Sequence, residues 1–186
     1  MPISDNQLML EFQRGDESAF NLLLERYRAR VVNTAYRFLG NSDVAQDVAQ
    51  EVFVRIYTSG KNYRPDATFT TWLYRITTNA CLDEARKRRR SKSTTTEELQ
   101  ESTPDPGATP EERACSSELT REVRAAIGSL PENQRMAIIL QRYEELSYQQ
   151  IADILKVSVP AVESLLFRAK QALRTRLSAY IDSPNR

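Results

Sequence analysis

Residues 147–170 read Ser-Tyr-Gln-Gln-Ile-Ala-Asp-Ile-Leu-Lys-Val-Ser-Val-Pro-Ala-Val-Glu-Ser-Leu-Leu-Phe-Arg-Ala-Lys, a pattern that predicts two helices joined by a tight turn. Ser147 caps a short helix that ends at Leu155, and Ser158 caps a longer one that runs to about Ser178. Apolar residues recur at helical spacing along one side of each helix. These proportions are typical of a helix-turn-helix, whose second helix enters the major groove of DNA.

The outer side of the second helix carries groups that suit base edges and phosphates. Glu163 can accept from a cytosine amino group, Ser164 can serve either partner, and Phe167 can pack on a thymine methyl. Arg168 and Lys170 can meet phosphates. A plain helical hairpin with a solvated basic face would show the same pattern, so the motif alone does not separate these interpretations.

A second candidate surface lies on a helix predicted from Thr68 to about Arg90. Trp72, Arg75, Asn79 and Arg86 share one side of this helix, which ends in five consecutive basic residues, 86–90. Aromatic and amide groups beside cations suit an unpaired nucleic-acid strand, because bases stack or hydrogen-bond while phosphates are neutralised. The alternative is that Trp72 belongs to the core and that the basic run is a solvated helix end.

Three further helices are predicted before this one. A short helix spans about Asp5–Arg14, Asp16 caps a long helix that ends near Gly40, and Ser42 caps a third that runs to about Tyr57. The outer side of the third helix is acidic and amide-rich, which suits a protein partner with basic or polar helices, although a solvated surface explains it equally well. The residues on this side are Asp43, Gln46, Asp47, Gln50 and Glu51.

Composition excludes several classes of protein. The 186 residues include no histidine and two cysteines, Cys81 and Cys115. Zinc sites need three or four Cys or His ligands, and most nucleophilic triads need a histidine, so neither is expected. No Gly-rich phosphate loop or paired acidic motif replaces them, and we expect no catalytic activity, metal or cofactor. Without a long apolar run or a secretory signal, the expected location is cytoplasmic.

Charge and composition divide the chain into three parts. Residues 93–117 are rich in Ser, Thr, Glu and Pro and poor in apolar side chains, which is typical of a flexible linker. Residues 1–92 carry 15 Lys and Arg against 11 Asp and Glu, whereas residues 119–186 carry 10 against 7. The sequence therefore predicts an all-α protein with two small helical domains, 1–92 and 118–186, joined by a flexible acidic linker. Basic domains favour a polyanionic partner, although charge excesses this small also arise by chance.

Taken in order, these segments resemble the extracytoplasmic-function sigma factors of bacterial RNA polymerase. The resemblance covers nearly the whole chain outside the linker. The motifs that carry it are Asp-Val-Ala-Gln-Asp-Val-Ala-Gln-Glu-Val-Phe at 43–53, Phe-Thr-Thr-Trp-Leu-Tyr-Arg-Ile at 69–76 with Asn79, Leu-Pro at 130–131, Leu-Ser-Tyr-Gln-Gln-Ile-Ala at 146–152 and Val-Glu-Ser-Leu-Leu-Phe-Arg-Ala-Lys at 162–170. It implies a transcription-initiation factor that binds core RNA polymerase and promoter DNA, is restrained by an anti-sigma factor, and does not itself insert into a membrane.

The resemblance also implies roles for the candidate surfaces. The third helix looks like the polymerase-binding face, comprising Asp43, Gln46, Asp47, Gln50, Glu51 and Phe53. The fourth helix and its preceding loop look like the part that melts and reads the −10 element, with a flipped base held near Asn79. Its candidate residues are Tyr63, Arg64, Trp72, Arg75, Asn79, Arg86, Arg89 and Arg90. The helix-turn-helix looks like the reader of the −35 duplex, through Ser158, Ala161, Glu163, Ser164, Phe167, Arg168 and Lys170. Many relatives carry a basic residue at the position of Glu163, so the acid here indicates a different promoter.

Two other functions fit parts of the same sequence. A stand-alone helix-turn-helix regulator would dimerise on a palindromic duplex, but it leaves the acidic helix and the Trp72 helix without a role. A sequestering interaction protein would bind polymerase or another partner with no promoter selectivity. A duplex-binding assay without polymerase separates the first of these functions from a sigma factor.

Overall fold

A computed structural model describes residues 3–64, 66–94 and 118–181 of the chain. Within these residues every regular element is helical, so the prediction of an all-α fold is confirmed. The α-helices of the described residues are α1 (Asp5–Gln13), α2 (Glu17–Leu39), α3 (Ser42–Ser59), α4 (Phe69–Thr94), α5 (Glu118–Gly128), α6 (Glu132–Arg142), α7 (Tyr148–Leu155) and α8 (Val159–Ile181), with a short 3-10 turn at Gly60–Asn62.

Local capping sets most of the helix starts. The Asp16 carboxylate accepts a hydrogen bond from the backbone N–H of Ser18 at 2.9 Å, and α2 ends at Gly40, whose φ of 73° suits a residue without a side chain. The prediction that Ser42 caps α3 is wrong. The Asn41 side chain accepts from the Val44 N–H at 3.0 Å, so Ser42 is already the first helical residue.

The fourth helix begins as predicted and ends later. The Thr68 hydroxyl accepts from the Thr71 N–H at 3.3 Å. α4 continues to Thr94, two residues into the predicted linker. The remainder of that linker, 95–117, lies outside the described residues.

The helix-turn-helix is confirmed, and its first helix starts with a reciprocal cap. The Ser147 hydroxyl accepts from the Gln150 N–H at 3.2 Å, while the Gln150 side chain accepts from the Ser147 N–H at 2.9 Å. Lys156 adopts φ 55° in the turn, and Ser158 caps α8 through the Ala161 N–H at 3.3 Å. Pro131 is the N-cap residue of α6.

The N-terminal half, residues 3–94, contains α1–α4. α1 packs against α2, α2 lies along α3, and α4 packs against both α2 and α3. Apolar residues at helical spacing fill the space between these helices because each helix has one apolar side. Its fully buried side chains include Leu8, Leu23, Val31, Phe38, Val52, Ile56, Phe69 and Leu73.

The C-terminal half, residues 118–181, contains α5–α8. α8 packs against α5, α6 and α7, and its buried side chains are Val162, Leu166 and Ala169. The two halves also pack against each other: α4 lies against α7, and α2 lies against α5 and α6. The sequence did not predict this contact. None of the described helices is long and apolar enough to cross a membrane.

Candidate polymerase and promoter surfaces

The outer side of α3 is polar, as predicted. Its five acidic and amide residues, Asp43, Gln46, Asp47, Gln50 and Glu51, are all exposed. The inner side of the helix is buried, since Val48, Val52 and Ile56 recur at four-residue spacing against α2 and α4. α3 therefore presents one continuous polar face.

Phe53 does not belong to that exposed face. It is 7 % exposed and packs in the core. Its ring lies at the bottom of a groove between α2 and α3, a cavity of about 530 Å³. The residues lining the groove are Phe20, Leu24, Arg28, Val32, Gln46, Asp47, Ala49, Gln50, Phe53, Val54 and Tyr57. The groove thus has an apolar floor beside three of the predicted polar residues, a combination that suits a helical partner.

Sequence reasoning missed the apolar part of this surface. Val54 is 54 % exposed and Tyr57 is 46 % exposed, although both are large apolar side chains. A pattern search for the buried side of α3 leaves these two residues on the outside, and that mismatch is the signal that could have found the groove.

α4 presents its predicted DNA-binding residues unevenly. Asn79, Arg86, Arg89 and Arg90 are exposed, whereas Trp72 and Arg75 are half-buried. The Trp72 ring lies 5.1 Å from the Tyr63 ring and 6.2 Å from the Phe69 ring, measured between centroids. Trp72 is therefore shared between the core and the surface.

Tyr63 is buried, at 5 % exposure, so its side chain is not presented to a strand lying on the surface. Its single hydroxyl proton is shared between the side-chain oxygen of Asn6 at 2.9 Å and the Ala67 carbonyl at 3.2 Å. Burial raises the pKa of Tyr63, and the nearby charge of Asp5 raises it further, so the hydroxyl remains a donor at neutral pH. Arg64, the next residue, is exposed.

Two residues of α1, Asn6 and Gln13, position the loop before α4, and no sequence pattern indicates this role. The Asn6 side chain accepts from the Phe69 N–H at 2.7 Å, which fixes the start of α4. The Gln13 amide donates to the carbonyl oxygens of Gly60 and Tyr63, each at 2.8 Å. α1 therefore holds the loop in place through hydrogen bonds between residues that are distant in the sequence. Such bonds form only once the helices have packed together.

Carboxylates pair with several residues at the basic end of α4. Arg86 pairs with Asp83 at 3.1 Å on the same helix, and both side chains are more than half exposed. Arg89 pairs with Glu132 of α6 in the C-terminal half. Exposed pairs such as Arg86–Asp83 contribute little to stability, so Arg86 remains available to phosphate groups.

The second helix of the helix-turn-helix, α8, exposes most of the residues predicted to bind DNA. Glu163, Ser164, Phe167, Arg168 and Lys170 are exposed, and Ala161 is half-buried. Phe167 is 69 % exposed, the largest value among the exposed large hydrophobic residues of the described chain. The ring of Phe167 is therefore accessible to a partner on this side of α8.

The described residues provide no metal centre and no reactive thiol. No group of three or more His, Cys, Asp or Glu among them could hold a metal ion. Cys81 is fully buried, and burial raises the pKa of its thiol to about 12. The thiol therefore stays protonated and unreactive at neutral pH. Cys115 lies outside the described residues.

The two halves match two recognised sequence families. Residues 23–91 match the family described as Sigma-70 region 2, and residues 120–173 match the family described as Sigma-70, region 4. The chain is 38 % identical over 176 residues to the RNA polymerase sigma-H factor of Pseudomonas aeruginosa, with 91 % of each chain covered. It is 36 % identical over 186 residues to the ECF RNA polymerase sigma-E factor of Escherichia coli, covering 96 % of this chain and 97 % of that one.

Solved structures show the same fold. CnrH in complex with the cytosolic domain of CnrY superposes with a TM-score of 0.72 at 27 % identity, covering 94 % of this chain and 97 % of that chain. The sigma factor RpoE in complex with the anti-sigma factor NepR from Bartonella quintana also superposes with a TM-score of 0.72, at 23 % identity, covering 86 % and 96 %. The CnrH superposition spans both halves at once, so the halves lie in a comparable arrangement there.

The acidic helix, the basic helix and the helix-turn-helix together define a DNA-binding factor for transcription initiation. The chain belongs to the extracytoplasmic-function sigma factors of the sigma-70 family, whose members bind core RNA polymerase and promoter DNA.

Proposed function

We propose that this sigma factor holds core RNA polymerase through α3 and reads two promoter elements, one with α4 and one with α8. The observation that carries the proposal is the separation of three exposed polar faces on three helices, each backed by a buried apolar side. One chain thereby offers one protein-binding face and two nucleic-acid-binding faces.

The polymerase contact uses the outer face of α3 and the adjoining groove. Asp47 and Gln50 stand at the groove, and Tyr57 supplies an exposed apolar surface beside them. An apolar floor gives affinity for a partner helix, while the acidic outer face of α3 steers a basic partner and fixes its register. Phe53 contributes from below by shaping the groove.

The −10 contact uses α4 as a platform for a single strand. Asn79 can hydrogen-bond an unstacked base, the half-buried Trp72 can offer an aromatic surface to one, and Arg86 and Arg90 can neutralise phosphates. Unpaired bases gain these contacts only after the duplex opens, so binding favours melting. We propose that Tyr63 positions the loop and Trp72, and that the exposed Arg64 reaches the strand.

The −35 contact uses the first turns of α8 in the major groove. Glu163 and Ser164 can reach base edges, Phe167 can cover a thymine methyl, and Arg168 and Lys170 can bind phosphates. Attachment of both halves to polymerase raises their effective concentration at the promoter. Neither half therefore needs to bind DNA tightly on its own.

Three further features complete the proposal. The chain has no catalytic activity of its own, and the polymerisation chemistry belongs to the polymerase. It acts in the cytoplasm, where polymerase and promoter DNA are found. An anti-sigma factor restrains it; this is supported by relatives such as CnrH and RpoE, whose structures were solved with CnrY and with the anti-sigma factor NepR, respectively.

Run-off transcription tests the proposal directly. Core polymerase would be incubated with the purified chain on genomic fragments, with core polymerase alone as the control, and transcript ends would be mapped. We expect discrete start sites that depend on the added chain. A stand-alone regulator would show no such dependence and would instead bind a palindromic duplex as a dimer in gel filtration.

A further inference from the structure

A buried carboxylate lies between the two halves of the molecule. Glu144, in the connection between α6 and α7, is 5 % exposed, whereas its neighbours Tyr143 and Glu145 are both exposed. A glutamate is rarely buried unless it is paired, because removing its charge from water is costly. The hydrogen-bond partners of Glu144 therefore show how its buried charge is compensated.

Within the described part of the chain, its donors come from the N-terminal half. Oε1 accepts from the Thr34 hydroxyl at 2.7 Å, and Oε2 accepts from Nε of Arg30 at 3.1 Å and from the Tyr74 hydroxyl. A second guanidinium nitrogen of Arg30 lies 3.0 Å from the same oxygen. Burial raises the pKa of Tyr74, and the charge of Glu144 raises it further, so the phenol remains a donor.

The pairing of Glu144 is coupled to the contact between the halves. Arg30 and Thr34 belong to α2 and Tyr74 belongs to α4, so the carboxylate loses these three donors if the halves separate. Any other packing of the two halves would leave the carboxylate or its donors buried without a partner, which is strongly unfavourable. Such a cluster therefore favours one defined closed arrangement.

Other contacts across the halves surround this cluster. Arg135 of α6 donates to the Phe38 carbonyl at 2.8 Å near the end of α2, and the Arg37 guanidinium lies 4.1 Å from the centre of the Tyr143 ring. Glu132 pairs with Arg89, one of the arginines proposed for the −10 strand. The closed arrangement thus occupies part of the DNA-binding surface.

In the closed arrangement, in which the two halves are in contact, the molecule is too short to reach both promoter elements. Elements at −10 and −35 lie about 25 base pairs apart, or about 85 Å along B-form DNA at ~3.4 Å per base pair. A compact chain of 186 residues has a radius of gyration of only about 16 Å. The halves must therefore separate before α4 and α8 can each reach an element.

We propose that Glu144 is a latch, whose hydrogen bonds to Arg30, Thr34 and Tyr74 keep the free sigma factor closed until core polymerase separates the halves. The proposal rests on the proposed function in its second part, the role of polymerase. A closed population lowers the apparent affinity for polymerase by the fraction of molecules that are open. Weakening the latch should then strengthen polymerase binding while leaving the binding faces unchanged.

Small-angle X-ray scattering on the full chain without polymerase tests the latch itself. Glu144→Ala should raise the radius of gyration by about 3 Å or more, since the halves separate. Thr34→Val removes a single donor and should give a smaller rise. Glu145→Gln removes the neighbouring exposed charge and should leave the value unchanged. An unchanged radius in both Glu144→Ala and Thr34→Val would overturn the latch.

A titration with core polymerase tests the role of opening. Glu144→Ala should bind at least about fivefold more tightly than wild type, the lower end of typical couplings between states, and saturating transcription should stay the same. Circular dichroism identifies a variant that has lost its helices, in which case Thr34→Val decides. Expansion without tighter polymerase binding would overturn the role of opening. Failure of the wild type to direct transcription would instead reject the proposed function and leave the scattering result standing.

Discussion

At the residue scale, Asn79 carries the most specific part of the proposed strand contact. It is exposed on α4, seven residues beyond Trp72, so the two side chains lie on the same side of the helix. We expect Asn79→Ala to reduce open-promoter formation on duplex templates on the order of tenfold, because one base loses its hydrogen-bond partner. Polymerase binding should be unaffected.

The measurement is in vitro transcription on two templates, one fully paired and one already melted at the −10 element. A pre-melted template should restore activity to Asn79→Ala, since the strand no longer has to be opened. Asn133→Ala, which changes an exposed amide on α6, should behave like wild type on both templates. Equal losses on both templates would show that Asn79 acts in a later step.

A close approach at Gly60 makes a second prediction at this scale. A Cβ at Gly60 would lie 2.7 Å from Cε1 of Phe12, whose ring packs 5.1 Å from Phe20 and 5.3 Å from Tyr57. Because the ring would have to move within this cluster, we expect Gly60→Ala to lower the free energy of unfolding by about 1–3 kcal/mol. Urea unfolding followed by circular dichroism measures it.

Gly128→Ala is the matched control for this change. Gly128 is the last residue of α5, and a Cβ added there would meet no atom within 4 Å. We expect it to leave stability unchanged or to raise it by up to about 1 kcal/mol, since alanine restricts the unfolded chain. If Gly60→Ala proved as stable as Gly128→Ala, the aromatic cluster would have to be looser than the distances indicate.

At the element scale, the acidic face of α3 is the part that a single charge reversal tests best. Asp47 is exposed at the rim of the groove, so Asp47→Lys should leave the helix folded. We expect it to weaken capture by core polymerase by about tenfold or more, because a like charge is placed against a basic partner. Titration of labelled chain with core polymerase gives the affinity.

Asp153→Lys provides the same charge change elsewhere. Asp153 is exposed on α7, a helix that lies outside the groove. The affinity of the Asp153→Lys variant for polymerase should stay within about twofold of wild type, since a charge far from the contact has little effect on binding. Similar losses in both variants would indicate a general effect of net charge and would count against the α3 face.

Helix boundaries could be predicted because their signals are local. The caps at Asp16, Thr68, Ser147 and Ser158 act within three residues along the chain, so the sequence alone carries them. Asn41 was missed because two capping residues stand side by side, and only the backbone conformation selects between them. The exposed faces of α3 and α8 were equally predictable, since a helix with one apolar side must expose the other.

The burial of Tyr63 and Phe53 could not be predicted in the same way. Tyr63 bonds to Asn6, 57 residues earlier, and Phe53 lies in the core below the groove formed by α2 and α3. Such contacts depend on how helices pack, which a periodic pattern does not encode. The resemblance to a family predicted which regions bind partners, but it did not separate the side chains that reach solvent from those that are buried.

At the scale of the whole molecule, the contact between the two halves cannot be predicted from local sequence patterns. Glu144 and Glu145 are adjacent and chemically identical, yet one is buried against three donors and the other is exposed. No local rule separates them, because the donors lie 70 to 114 residues away in the chain. A domain division drawn from composition therefore describes how the chain is organised but omits how its parts associate.

The Tyr74 hydroxyl makes this association sensitive to alkaline pH. Its pKa lies above the ordinary value of 10 because the ring is buried and because Glu144 is beside it. Between pH 10 and the raised pKa, the unfolded chain has released this proton and the folded chain has kept it. The stabilisation is thus complete below pH 10 and falls as the pH rises, by up to about 1.4 kcal/mol per pH unit for a single group.

Tyr74→Phe isolates this contribution. Phenylalanine cannot ionise, so the free energy of unfolding should fall less steeply between about pH 10 and 11.5 than in wild type, by up to the same 1.4 kcal/mol per unit. Tyr27, Tyr57 and Tyr63, whose pKa values are also raised, remain in both proteins and cancel from the comparison. Urea unfolding at a series of pH values supplies the two slopes. Parallel slopes would mean that the hydroxyl ionises as freely in the folded chain as in the unfolded one, which is incompatible with a phenol enclosed beside Glu144.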